Sequence, residues 1–334
     1  VDRKIQDSIK NYAGKRVLVT GGLGMIGSYA ATLAADHGAT VTVLDNLLPD
    51  HGGNAENLSG YEDKIKTVIG DIRDVSVLND LVKDQDLIFH CAAHVSYTDS
   101  MKDPYLDLDI NVRGHLNLLE ACRHHNKDAK VVFTSSRMKY GVISENPVKE
   151  SHPTNPLMIY GAHKLLGEKY QEIYYKNYGI PYANVVVPNP FGPRQQMIHH
   201  RYGLLNWFIR MAMDGGDITI YGDGSQIRDY IYVEDIAVAI LLCGIDPSTT
   251  AKTINLGNGA GVAFKKMVTT VIDAVGKGSY SHVEWPENYF NIETGDYIAD
   301  TSFAESLGYK PSISFEDAVV KTVEFYEVNR SKYW

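Results

Sequence analysis

The chain has 334 residues and a formal net charge of −9, material for one average domain and a smaller lobe. The acidic balance, with no basic stripe, excludes nucleic acid as a partner, and no apolar run is long enough to span a bilayer. Cys91, Cys122 and Cys243 are scattered in apolar surroundings, read as reduced core residues, and point to a cytoplasmic protein; no secretory leader is expected.

In chain order, residues 1–14 are expected to form a helix ahead of the first strand. That strand, near 16–20, ends in V-L-V-T and runs into G-G-L-G-M-I-G, Gly21 to Gly27. A helix is predicted over 25–37 and a second strand over 40–44, closed by Asp45. Gly22, Gly24 and Gly27 form Gly-x-Gly-x-x-Gly, which lets the backbone turn sharply and approach a pyrophosphate at the following helix N-terminus. Alone, these glycines would equally mark a tight packing turn. The strand before, the helix after and an acid about 20 residues on, where it can accept from ribose hydroxyls, select a dinucleotide site. Asp45 is followed by Asn46-Leu47-Leu48 rather than a cation. A 2′-phosphate would meet the carboxylate uncompensated, so NAD is expected over NADP.

Further strands are predicted near 66–69, 86–90, 130–134, 182–187 and 253–256, and helices near 75–83, 105–125 and 159–178. This alternation predicts an α/β fold, a Rossmann-type doubly wound parallel sheet. Past residue 190 the pattern breaks at Pro188, Pro190 and Pro193. A helix near 203–214, the turn G-D-G-S-Q at 222–226 and helices near 263–276 and 315–329 follow. We therefore expect residues 1–188, with 232–258 returning, to form the NAD-binding domain. Residues 189–231 and 259–334 would form a smaller C-terminal α/β substrate-binding lobe over the carboxyl ends of the strands. No metal is expected. His124–His125 and His199–His200 are adjacent pairs that share no helix face, and Cys122 with His125 lacks the remaining ligands.

Tyr160 and Lys164 lie one turn apart on one helix face. A free phenol, with a pKa of about 10, is a poor base at neutral pH, and a nearby ammonium lowers it. By itself such spacing reads equally as a surface contact. Ser136, at the end of the fifth strand in V-V-F-T-S-S-R-M-K-Y-G, supplies a hydroxyl to orient a substrate oxygen. With the dinucleotide site these residues predict hydride transfer, Tyr160 taking the proton of a substrate hydroxyl.

At these residues the chain resembles the extended short-chain dehydrogenase/reductase family, in particular its nucleotide-sugar epimerases and dehydratases. The resemblance rests on T-G-G-L-G-M-I-G, Asp45, G-D-I-R-D at 70–74, H-C-A-A at 90–93 and S-S-R-M-K-Y-G. It continues through Y-G-A-H-K, N-P-F-G-P-R at 189–194 and G-D-G-S-Q-I-R-D-Y at 222–230, nearly the whole chain in order. It implies that Gly21, Gly24 and Gly27, with Met25 and Ile26, approach the NAD pyrophosphate and that Asp45 and Asn46 meet the adenosine ribose. Asp71 and Ile72 would flank the adenine. Ala92, Ala93 and Asn111, with Tyr160 and Lys164, would complete the cofactor site, Lys164 on the nicotinamide ribose. Asn189 and Arg228 would contact the diphosphate of a nucleotide-diphosphate sugar, although Asp71 could simply cap a turn and Arg228 could pair with Asp229 or Asp235.

Within that family, dehydratases carry Asp-Glu directly after the residue matching Ser136. Here Arg137 and Met138 stand there, and neither does carboxyl acid–base chemistry. Dehydration and decarboxylation are therefore disfavoured. The expected activity is C4 epimerisation through a transient 4-keto sugar; a net 4-dehydrogenase or 4-reductase is the alternative. A non-catalytic NAD-responsive binding protein is opposed by retention of Ser136, Tyr160 and Lys164. Arg137 and Lys139 replace small residues of typical epimerases. They are read either as solvated cations or as receptors for an anionic group on the sugar. Glu293 stands where many relatives place an Arg and is expected to point away from a diphosphate or to receive nucleoside hydroxyls; His163 replaces a small residue and is expected to pack against the sheet rather than to perturb Tyr160. The helices at 105–125 and 159–178 carry extra apolar residues, among them Leu166, Tyr170, Ile173 and Tyr174. The resemblance implies a homodimer through these helices.

Overall fold

A computed structural model of the chain describes residues 10–286 and 293–334. The helix expected over residues 1–14 falls largely outside these residues; within them Lys10–Tyr12 forms one 3₁₀ turn.

Arg16–Thr20 (β1) leads through the glycine turn into Met25–Asp36 (α1), and Thr40–Asp45 (β2) pairs parallel beside β1. Ile65–Ile69 (β3) adds outside β2, and Val75–Leu81 (α2) carries the chain back to Leu87–His90 (β4) on the other side of β1. Pro104–Leu108, a π-helical turn Asp109–Gly114 and His115–His125 (α3) precede Lys130–Ser136 (β5). Ile159–Tyr178 (α4) then leads to Tyr182–Val187 (β6). A late strand, Lys252–Asn255 (β10), closes a seven-stranded parallel sheet of order β10-β6-β5-β4-β1-β2-β3. The Rossmann-type fold is thus as expected. Its strand order reverses between β1 and β4, which opens a crevice at their carboxyl ends.

Alternation along β1 divides the core. Val17 and Val19 pack with Ala30, Ala31 and Ala34 of α1 on one face. Leu18 packs with Leu78, Leu118 and Leu119 on the other. The uninterrupted helix expected over 105–125 is corrected, because residues 109–114 widen into a π turn. That turn lets Asn111 reach the loop after β4, where its amide donates to the His94 carbonyl oxygen at 2.9 Å and accepts from the His94 N–H at 2.9 Å. Widened turns of this kind accommodate just such an inward-reaching side chain.

Asn189–Phe191 (β7), Leu204–Met213 (α5) and Asp217–Tyr221 (β8) begin a second body. Ile227–Tyr232 (β9) then enters Val233–Ile245 (α6), which returns to the sheet, followed by Lys252–Asn255 (β10) against β6. Helix α6 had no periodic signal, because V-E-D-I-A-V-A-I-L-L-C-G-I is apolar almost all round. The structure gives the reason: Ile236, Ala239 and Ile240 are buried in one core with α1 and the sheet. Gly261–Ala263 (β11), Phe264–Val275 (α7), Ser279–Val283 (β12) and Phe315–Asn329 (α8) complete the chain. Strand β9 lies between β7 and β11, and β12 pairs with β8. A separate apolar cluster, including Phe191, Phe208, Ile209, Ile220, Met267 and Val319, holds these elements together. None of these five short strands was expected. They are short and lie among prolines, glycines or charged residues, and even D-I-T-I-Y of β8, which does alternate, spans only five residues. No helix among the described residues is long and apolar enough to cross a membrane.

Candidate active site

The glycine turn is built from close contacts. Gly21 has φ +68°, and a Cβ there would lie 2.6 Å from the Ala92 backbone nitrogen; a Cβ on Gly27 would run into the Gly21 carbonyl oxygen. The loop therefore packs backbone on backbone, with α1 starting directly beneath it. It is tied to the next strand by Gly21 N–H donating to the Leu44 carbonyl oxygen at 2.8 Å. A cleft opens over the loop, lined by Gly21, Gly24, Asp45, Asn46, Asp71, Ile72, Ala92 and Ala93. A bare backbone cradle at a helix N-terminus, flanked by a carboxylate at the tip of β2, fits the pyrophosphate and ribose of NAD. Met25, Ile26, Gly27, Asn111, Tyr160 and Lys164 are outside the cleft lining. His51 and Tyr202, which the sequence did not single out, are part of it.

Asp45 is held ready rather than free. Leu23 N–H donates to its Oδ2 and Leu47 N–H to its Oδ1, each at 3.0 Å, and burial raises its carboxyl pKa despite these bonds. Asn46 donates to Asp71 Oδ2 at 2.8 Å. Asp71 is gripped by Arg73, whose Nε and Nη2 lie 2.9 and 2.6 Å from its oxygens. That fork holds the Asp71 carboxyl at about 2. Asp71, which lines the cleft, is thereby neutralised by Arg73, leaving Asp45 to set the charge met by an adenosine ribose.

The catalytic candidates converge from two elements. Ser136 is the last residue of β5 and caps the 3₁₀ turn that follows, its Oγ accepting from Met138 N–H at 3.3 Å. Tyr160 and Lys164 occupy the first turns of α4, and Tyr160 packs with Met138 and Met158. The Tyr160 phenol is raised by burial, which outweighs its hydrogen bond with Ser136; Asp107 raises it further. Lys164 Nζ donates to the Thr134 carbonyl oxygen at 2.9 Å and lies 5.8 Å from the Tyr160 ring centroid. Burial brings the Lys164 ammonium down to about 8. A basic phenolate at neutral pH thus requires more positive charge than the protein alone provides here.

Behind this pair sits a group that sequence reading missed. The fully buried Asp107 accepts from His94 Nδ1 at 2.7 Å, from His163 Nδ1 at 2.6 Å and from Asn111 Nδ2 at 3.1 Å. Burial alone would raise its carboxyl, but the bonds from His163, His94 and Asn111 hold it below the usual range. The expectation that His163 merely packs is therefore corrected, since it is one arm of this bridge. The Asp107–Asn111 spacing of four on one helix was the visible signal.

The substituted residues after Ser136 part ways. Lys139 is buried, with Nζ 2.9 Å from both oxygens of Glu168, and Ser135 Oγ lies 2.5 Å from Glu168 Oε1. Lys139 thus turns away from the cleft, and the reading of it as an anion receptor is withdrawn. Arg137 points the other way: its Nη1 donates to Thr294 Oγ1 at 3.0 Å, and its guanidinium lies 5.4 Å from the Tyr297 ring centroid. Arg228 does not pair with Asp229 or Asp235. Its Nη2 lies 2.5 Å from Glu293 Oε1, and its Nη1 donates to the carbonyls of Ile227 and Gly295. Asn189 donates to the Asp229 carbonyl oxygen at 2.8 Å. The Asp229 side chain accepts from the N–H groups of Asn258, Ala299 and Gly259, and burial raises it to about 6.

The profile of the NAD dependent epimerase/dehydratase family matches residues 17–257. A UDP-glucose 4-epimerase of Mycolicibacterium smegmatis is 34% identical over 325 residues, covering 95% of this chain and 100% of that protein. A dTDP-glucose 4,6-dehydratase of Streptomyces niveus is 30% identical, covering 96% of this chain and 94% of the relative. The solved structure of an epimerase from Methanothermobacter thermautotrophicus superposes with a TM-score of 0.91 at 30% identity, covering 98% of this chain and 97% of that one.

Proposed function

The chain belongs to the NAD dependent epimerase/dehydratase family, and from that premise we propose that it inverts C4 of the sugar in a nucleotide-diphosphate sugar. It is an NAD-dependent enzyme of the nucleotide-sugar group. The observation that carries the finer reading is the sequence of groups around Ser136. A hydroxyl and a phenol share a hydrogen bond, with an ammonium 5.8 Å from the phenol ring centroid, while Arg137 and Met138 stand where elimination of water would need carboxyl groups. With no acid–base pair there, dehydration of a C4 ketone is strongly disfavoured.

NAD, when bound over the glycine turn, supplies the acceptor and then the donor of the C4 hydride. Gly21 and Gly24 would hold its pyrophosphate on the turn that Gly27 packs against, and Asp45 and Asn46 would hold its adenosine ribose. Ser136 orients the C4 oxygen, and Tyr160 takes the hydroxyl proton and later returns it. Lys164 keeps positive charge beside the phenol, and Asp107 anchors the helix turn from which Lys164 projects through His163. Asn189 and Arg228 stand beside the sugar-nucleotide diphosphate. We also propose that the exposed Tyr105, Leu108 and Ile173 are covered in a homodimer by the same helices of a second copy.

Incubation with UDP-glucose, UDP-N-acetylglucosamine and dTDP-glucose, following product stereochemistry and cofactor absorbance, tests the reading. A C4 epimer formed without net NADH supports it. Net NADH accumulation with a stable 4-keto product selects the 4-dehydrogenase, and a 4-keto-6-deoxy product overturns the argument from Arg137 and Met138.

A further inference from the structure

Arg137, next to Ser136, is a cation with no ion pair among the described residues. Among the described residues its side chain makes one hydrogen bond, to the Thr294 hydroxyl, and no ion pair. The neighbouring carboxylates are engaged elsewhere. Glu293 Oε1 is held by Arg228 and by the Gly295 N–H, and Asp229 is occupied by three backbone N–H groups. The second guanidinium beside it, Arg228, makes the setting worse, since burial and Arg228 together disfavour the Arg137 charge. A half-buried guanidinium without an ion pair is costly, and its remaining N–H donors form a planar fork that matches a carboxylate.

Position then selects which anion. Arg137 follows Ser136 directly, and the two leave the same tight turn: Lys139 turns back to Glu168, Met138 packs on Tyr160, and Arg137 reaches toward Thr294 and Tyr297. If Ser136 and Tyr160 hold the C4 oxygen, the substituents next to Arg137 are those on the C4–C5 side of the ring. The diphosphate hangs from C1, across the ring from C4.

We propose that the sugar carries a carboxylate and that Arg137 receives it, so that the enzyme acts on an acidic sugar nucleotide rather than a neutral hexose. This deepens the epimerase reading and depends on it for the orientation of the ring. The carboxylate is either the oxidised C6 of a uronate or an acid borne on an ether substituent of the ring, and both present the same planar anion.

The test compares wild type, Arg137→Met and Arg137→Lys, each checked for an unchanged thermal midpoint, against UDP-glucuronate, UDP-N-acetylmuramate, UDP-glucose and bare UDP. The proposal expects wild type to favour one acidic substrate over UDP-glucose. The ratio of their kcat/KM values should fall by about tenfold to a hundredfold in Arg137→Met, with Arg137→Lys between. Which acid responds separates the uronate from the ether-linked source. Binding of each compound is measured in parallel by calorimetry. If no compound is epimerised but the acidic sugar nucleotide still loses affinity in Arg137→Met while bare UDP does not, the epimerase reading fails and the carboxylate site stands. A wild type that prefers UDP-glucose overturns the proposal. So does an Arg137→Met that weakens bare UDP as much as the acidic sugars, because Arg137 would then hold the diphosphate.

Discussion

Arg228 Nη2 lies 2.5 Å from Glu293 Oε1, so the guanidinium expected on a diphosphate already has an anion of its own. The two residues explain each other. Glu293 stands where a cation would reinforce diphosphate binding, and instead it screens the one that remains. Replacing Glu293 by Gln frees the Arg228 fork for phosphate. For a partly exposed pair worth about 1 kcal/mol, UDP binding should tighten by roughly fivefold in calorimetry. An unchanged or weaker affinity would mean that Arg228 is held for the loop's sake alone.

Tyr160→Phe and Ser136→Ala test the proton-transfer pair. General acid–base assistance is worth about 10²–10⁴-fold, so Tyr160→Phe should lower kcat within that range with little change in KM. Ser136→Ala should cost less, because water can replace one orienting hydrogen bond. Full activity in Tyr160→Phe would remove the phenol from the mechanism.

The Asp107 bridge makes a prediction in pH. Its negative charge favours the protonated forms of both Tyr160 and Lys164. Asp107→Asn should therefore lower both pKa values and move the whole pH–rate profile toward acid. Its upper limb, on which the Lys164 cation is lost, would fall below the pH of about 8 where burial has brought that ammonium. Stability follows the opposite sign from a buried acid left unpaired. The folded Asp107 carboxyl sits below its unfolded value, so its contribution is complete above the ordinary carboxylate range and disappears as pH falls through the lowered value. Asp107→Asn should cost about 1–3 kcal/mol near neutrality in urea denaturation, and the difference from wild type should vanish in acid. A profile that stays in place would show the bridge to be electrostatically silent at the site.

Lys139 and Glu168 form a buried pair whose removal by halves should be far worse than its removal whole. Glu168→Ala leaves an uncompensated ammonium beside β5 and should destabilise by about 3–5 kcal/mol. Lys139→Met with Glu168→Leu should recover most of that, short of about 1 kcal/mol for the Ser135 hydroxyl left without its acceptor. Additive single-site losses in the double variant would contradict the pairing.

Gly27→Ala probes the cofactor turn. The new methyl meets the Gly21 carbonyl oxygen, and relieving that overlap at about 1–3 kcal/mol displaces the N–H groups offered to a pyrophosphate. NAD affinity, followed by cofactor retained after gel filtration and by titration, should drop by about tenfold or more. An unperturbed Kd would place the pyrophosphate elsewhere.

Sequence alone was enough wherever the information is local. The glycine turn, Asp45 at the tip of the second strand and the Tyr160–Lys164 pair are set by short spacings within one strand–turn–helix or one helix face. The doubly wound parallel sheet also follows, since alternating strands and helices leave few right-handed topologies; its strand order came from the structure. What tertiary structure decided are the partners of charged and polar groups. Asp107 finds His163 across 56 residues, Lys139 finds Glu168 across 29, and Arg228 finds Glu293 across 65. No period or motif records such pairs, because burial makes any nearby opposite charge an acceptable partner and only the fold determines which one is near. The sequence therefore placed both Arg137 and Lys139 beside Ser136 as equal cations; folding neutralised one against Glu168 and left the other, against Thr294 and Tyr297, with no ion pair among the described residues.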